Sequence, residues 1–164
     1  MKHRTTAISL TVAASLGAIA VLASTPPAEV AWPANYREWT HVKSMVIEPG
    51  HPLHGTFGGI HHLYGNEAAL KGYREGKFPD GAVIVFDLLE AVSADNTVTE
   101  GKRKVVGVMQ RDSAKFPATG GWGFEGFAGD SQTQRVVGAN AATACFACHQ
   151  AKRDQGYVFS TWRN

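Results

Sequence analysis

Apolar and polar positions divide the chain into short segments with two different periods. Thr40 to Ile47 is weakly apolar and compatible with a strand or a short helix, ended by Pro49-Gly50 and Pro52. The glycine-rich run His54-Gly55-Thr56-Phe57-Gly58-Gly59 leads into Ile60-His61-His62-Leu63-Tyr64, a predicted strand. Glu67 to Arg74 predicts a helix: Asn66 is the N-cap, an acid lies in the first turn, bases follow and Gly76 stops it. Pro79-Asp80-Gly81 predicts a turn, because Pro fixes φ and Gly supplies the positive φ of a type II turn. The strongest predicted strand, Ala82 to Leu89, is apolar on both parities and so should be covered on both faces.

Further along, Ser93 to Gly101 is expected to be polar loop and Lys104 to Met109 a strand. Gly120 to Phe127 alternates aromatics with glycine or acid, which suits a strand whose backbone is approached by a large flat ligand. Ala139 to Arg153 is alanine-rich and helix-compatible, and Tyr157 to Trp162 is expected to close the chain as a strand. Four to six short strands against two helices indicate an α+β domain with a mainly antiparallel sheet and a C-terminal helix.

The first residues change this picture at one end. Met1-Lys2-His3-Arg4 precedes an uncharged run from Thr5 to Leu22, with a small-x-small site at Val21-Leu22-Ala23. This reads as a secretory leader, residues 1–23, removed on export. A retained anchor is the alternative, since the run is at the low end of spanning length. Pro26, Pro27 and Pro33 mark residues 24–35 as an extended linker, and 36–164 as a single domain. Periplasmic location, with no membrane attachment after cleavage, is the expectation. Two of the bases counted in the net charge of +2, Lys2 and Arg4, belong to the leader, so nothing supports a nucleic-acid partner.

Both cysteines of the chain lie in Cys145-Phe146-Ala147-Cys148-His149, so no disulfide framework is available beyond that run. Thiols three residues apart fall on one side of a helical turn, within reach of the two vinyl groups of one porphyrin, and the next histidine then meets the iron. One covalent haem c, held by Cys145 and Cys148 and ligated by His149, is the reading. A thioredoxin-like pair would normally follow an early strand, and a zinc site lacks a second cysteine pair. Across the iron, a Met or His would make an electron carrier, whereas an open position would make a gas binder or an enzyme. Met45, Met109, His41, His51, His54, His61 and His62 are the candidates, and His61 and His62 point to opposite faces of one strand.

Asn35-Tyr36-Arg37-Glu38-Trp39, Phe78-Pro79-Asp80-Gly81 with its strand, Asp112-Ser113-Ala114-Lys115-Phe116, and the cysteine motif followed by Tyr157-Val158-Phe159 together resemble the cytochrome P-460 and beta-type cytochrome c′ superfamily. The resemblance implies periplasmic, sheet-rich homodimers with five-coordinate haem. In the hydroxylamine-oxidising branch it implies a lysine cross-linked to the porphyrin and a distal carboxylate on the next strand. The matching positions here are Phe86 and the Val106-Gly107-Val108 segment, and no lysine lies between Lys77 and Lys102, so that branch is not the expectation. The beta-type cytochromes c′ instead imply two phenylalanines, matched by Phe57 and Phe86, as an apolar cap over the iron. Such a cap offers no lone pair and no strong hydrogen-bond donor, which favours nitric oxide and carbon monoxide over dioxygen. A P-460-type hydroxylamine or nitric oxide oxidoreductase, needing Glu125 or Asp87 as proton acceptor, and an electron-transfer cytochrome are the alternatives.

Overall fold

The structure is a computed structural model that describes residues 29–163; the expected leader lies outside them. Five strands form one antiparallel sheet in sequential order: β1 (Thr40–Ile47), β2 (Gly59–Gly65), β3 (Val83–Ala94), β4 (Thr97–Arg111) and β5 (Trp122–Ala128). A single turn, α1 (His54–Phe57), precedes β2, and α2 (Glu67–Glu75) links β2 to β3. The α+β architecture is as the hydrophobic pattern indicates.

Local chemistry accounts for the α2 to β3 connection. Asn66 Oδ1 accepts from Ala69 N at 2.9 Å, capping α2, and from Val83 N at 3.0 Å, while its Nδ2 donates to the Gly81 carbonyl at 2.9 Å. Gly81, at φ 88°, takes the left-handed position of the Pro79-Asp80-Gly81 turn, and Ala82 N closes it on Pro79 O at 3.1 Å. One asparagine thus stops a strand, starts a helix and anchors the next strand.

β3 is apolar on both parities because each face is covered. Ile84 joins Ala69, Phe78, Ala82, Trp122, Phe124 and Val158 in one cluster, beneath α2 and the C-terminal segment. Val85 joins Val30, Tyr36, Val106, Val108 and Phe127 in a second cluster on the other face. Val30, within the stretch read as linker, is buried there.

Three expectations need correction. Ser93 to Gly101 is not a loop: β3 and β4 continue as a paired ribbon, reversing at Asp95-Asn96, both at positive φ (50° and 59°) as a type I′ turn requires. Tyr157 to Trp162 forms no strand; after the turn at Tyr157 it is a tail without regular structure, held by Tyr73 Oη to Ser160 Oγ at 2.7 Å and Lys43 Nζ to Thr161 Oγ1 at 3.1 Å. The β5 glycines do not open the backbone to a flat ligand. A Cβ at Gly123 would fall 2.4 Å from the Phe116 ring, and one at Gly126 would fall 2.8 Å from Val136. Neighbouring side chains already fill those places.

Candidate functional site

The Cys145 to His149 run lies in a chain of short helical turns: a π-turn (Ala142–Phe146), α3 (Ala147–His149) and a 3-10 segment (Gln150–Gln155). Both thiols are free, Cys145 half-buried and Cys148 exposed. Burial, with the Glu125 and Cys148 charges adding, pushes the Cys145 thiol up to about 11, so it is not the low-pKa thiolate of a redox pair.

His149 is positioned from both sides. Its ring centroid lies 5.0 Å from Phe124 and 5.0 Å from Phe159, the latter edge-on. Its Nδ1–H donates to the Tyr157 carbonyl at 2.7 Å. The chain makes that carbonyl available by reversing through two successive left-handed residues, Gly156 (φ 66°) and Tyr157 (φ 67°), the second an unusual place for a side chain. Burial lowers the imidazole pKa against the opposing effect of this hydrogen bond, so the ring is neutral near pH 7 with Nε2 carrying the lone pair. An engaged Nδ1, a bare Nε2 and two free thiols three residues apart are the donor set that an attached haem requires.

Phe124, against His149, belongs to a row of the sheet with Met109 and Ile84, all on one face. The next row on that face, about 7 Å along the strands, holds Gly107 and Phe86 with Leu63. Here the structure brings together the two phenylalanines named from the sequence: Phe57, at the end of α1, meets Phe86 edge-on with ring centroids 5.8 Å apart. Lys43, paired with Leu63, shares the row and donates to Thr161. His61, one row further and paired with Leu88, stacks on Phe86 at 4.4 Å.

Sequence reasoning had left His61 among five histidines. It is 4% exposed, its Nδ1 has no hydrogen-bond partner, and burial, then the His62 charge, lowers its pKa to about 4. Its signal in the sequence was the strand alternation that separates it from His62. Of the other candidates, His41 and His62 lie on the opposite face, and Met45 is half exposed beside His61.

Both buried acids are engaged by hydrogen-bond donors. Asp87 points away from Phe86 and accepts from Tyr36 Oη at 2.9 Å, Arg37 Nη2 at 3.1 Å and Arg103 Nε at 2.6 Å. Burial raises its pKa against the pull of Tyr36 and Arg37. Glu125 accepts from Gly126 N, Val137 N, Gly138 N and Arg135, so it clamps the segment after β5 onto the sheet edge. Burial raises its pKa, but these donors outweigh burial and hold it below the usual carboxylate range.

No curated protein matches this chain. A family model does match, over residues 33–160, from ahead of β1 to the tail beyond the cysteine motif, and it is described as Cytochrome P460. With its thiols, its oriented imidazole and its antiparallel sheet inside that span, the chain belongs to the cytochrome P460 family, whose members are haem cytochromes.

Proposed function

We propose that Cys145 and Cys148 hold a single haem c covalently, that His149 Nε2 ligates the iron, and that the Phe57 and Phe86 cluster caps the other side as an apolar pocket for nitric oxide and carbon monoxide. The haem supplies an iron with one open position for a diatomic ligand. The protein acts in the periplasm as a homodimer that scavenges, carries or senses nitric oxide.

The observation that carries this reading is the cross-strand pair Phe86 and Gly107. Where the resemblance implies a cross-linked lysine this chain has an aromatic ring, and in the Val106-Gly107-Val108 segment, where it implies a distal carboxylate, the residue paired with Phe86 is glycine. Phe57 closes over Phe86, and the nearby acids Asp87 and Glu125 are saturated with donors. Aromatic rings give iron no lone pair, so water and anions gain little there. His61, stacked on Phe86, is neutral and itself carries no charge that would attract an anion.

Optical spectra of the purified ferric and ferrous protein, before and after nitric oxide, carbon monoxide or hydroxylamine, test the proposal. A high-spin haem that responds to both gases is expected; a low-spin spectrum indifferent to them overturns it. A strongly red-shifted Soret band, with a lysine-haem cross-link by mass spectrometry, would favour the hydroxylamine oxidoreductase instead. Phe86→Val should speed distal association of carbon monoxide roughly tenfold, equivalent to about 1.4 kcal/mol of barrier, and unchanged kinetics would remove Phe86 from the cap.

A further inference from the structure

On the sheet face away from Phe86, four polar side chains form a chain that gas binding does not use. His41 Nε2 lies 2.8 Å from Ser44 Oγ, and Ser44 Oγ lies 2.6 Å from His62 Nδ1. His62 Nε2 lies 2.8 Å from Glu100 Oε1, an ion-pair distance without the alignment of a hydrogen bond. The imidazole rings are 5.9 Å apart. Pairing of Ser44 with His62 across β1 and β2 holds the group in register, and the bulge between His41 and Lys43 sets where His41 stands. Two ring nitrogens on adjacent strands therefore converge on one point, now filled by a serine hydroxyl.

We propose that this is a binding site for a late first-row divalent cation, Cu²⁺, Zn²⁺ or Ni²⁺, with His41 Nε2 and His62 Nδ1 as ligands. Imidazole suits these metals at a metal to nitrogen distance of about 2.1 Å, and the two ring nitrogens already lie 2.8 and 2.6 Å from one atom, Ser44 Oγ. The Ser44 hydroxyl and water complete the shell. Glu100 stands on the outer nitrogen of His62, the arrangement in which a carboxylate orients a metal-bound imidazole. Among the described residues no three His, Cys, Asp or Glu side chains converge as a metal site, and this one has two imidazoles. Arg163, whose guanidinium donates to the His41 carbonyl at 3.2 Å, works against a cation.

The test is calorimetric titration of the untagged, haem-loaded protein with Cu²⁺, Zn²⁺ and Ni²⁺, with electron paramagnetic resonance of the Cu²⁺ form. One equivalent with two nitrogen ligands is expected. His41→Ala or His62→Ala should each weaken binding at least about tenfold, Glu100→Gln about tenfold, and Arg163→Gln should tighten it. His51→Ala and His54→Ala should leave it unchanged. The haem spectrum reports folding of each variant. Dissociation constants weaker than about 1 mM, or binding that survives the His41→Ala/His62→Ala pair, would overturn the proposal; either result leaves the gas-binding proposal as it stands.

Discussion

Phe86 and Asp87 are neighbours on one strand, and they serve opposite chemistries. On the Phe86 face the important groups are rings and unpartnered nitrogens: Phe57, His61, and further along Phe124 and His149. On the Asp87 face a fully buried carboxylate gathers Tyr36, Arg37 and Arg103, and beyond it lie His62, Ser44 and His41. One face gathers rings around few polar groups; the other is centred on a carboxylate closed by its donors. A strand with a period of two lets one stretch of sequence carry both, because each residue belongs wholly to one side.

Removing the centre of the closed face should have the largest effect. Asp87→Ala strands the Tyr36 hydroxyl in the interior and leaves Arg103 with Asp130 as its remaining carboxylate partner, which should cost about 3–5 kcal/mol, read as a lowered unfolding midpoint in urea. Gas association measured on the folded fraction should stay as in the parent. A change in association rate would mean that the two faces are not independent.

His61 is the exception on the Phe86 face, since burial rather than a partner sets its state. Its pKa is lowered in the fold to about 4, so the unfolded chain binds the proton more readily. The protein should keep its full stability above about pH 6.5 and lose up to about 3 kcal/mol as pH falls toward 4. Chemical denaturation at a series of pH values should show that loss shrinking in His61→Phe; the part due to His41 and His149, whose pKa values are also lowered, should remain. An unaltered pH profile would place another group in the role given to His61. The smallest effect expected is at Phe57→Ala. This ring is half-buried at the end of a one-turn helix, so its loss should cost about 2 kcal/mol or less and raise carbon monoxide association less than Phe86→Val does.

How much of this was legible depended on the distance over which each signal acts. The cysteine motif, the Asn66 cap and the Pro79-Asp80-Gly81 turn are encoded within a few residues and could be read directly. Phe57 and Phe86 were named only through the family resemblance, not from the pattern of the chain. His61 could not be chosen from five histidines, because its stacking on Phe86 depends on the register of β2 against β3. The convergence of His41 and His62 depends on a bulge that composition does not mark. Asp95-Asn96 was read as loop because its neighbours are polar; the strands persist there through pairing with each other rather than by burial.

The reversal at Gly156-Tyr157 also has a consequence in time. Synthesis delivers Cys145 and Cys148 before the carbonyl that orients His149, which arrives eight residues after the imidazole. The thiols are therefore present on a segment whose histidine is still free to rotate, and the choice of tautomer waits for the tail to fold back. On the proposed haem attachment, the covalent bonds need only the local run, while poise at the iron needs the whole chain. A variant that keeps the motif but straightens the reversal, such as Gly156→Val, should separate the two events, giving a haem that is covalently held and loosely ligated.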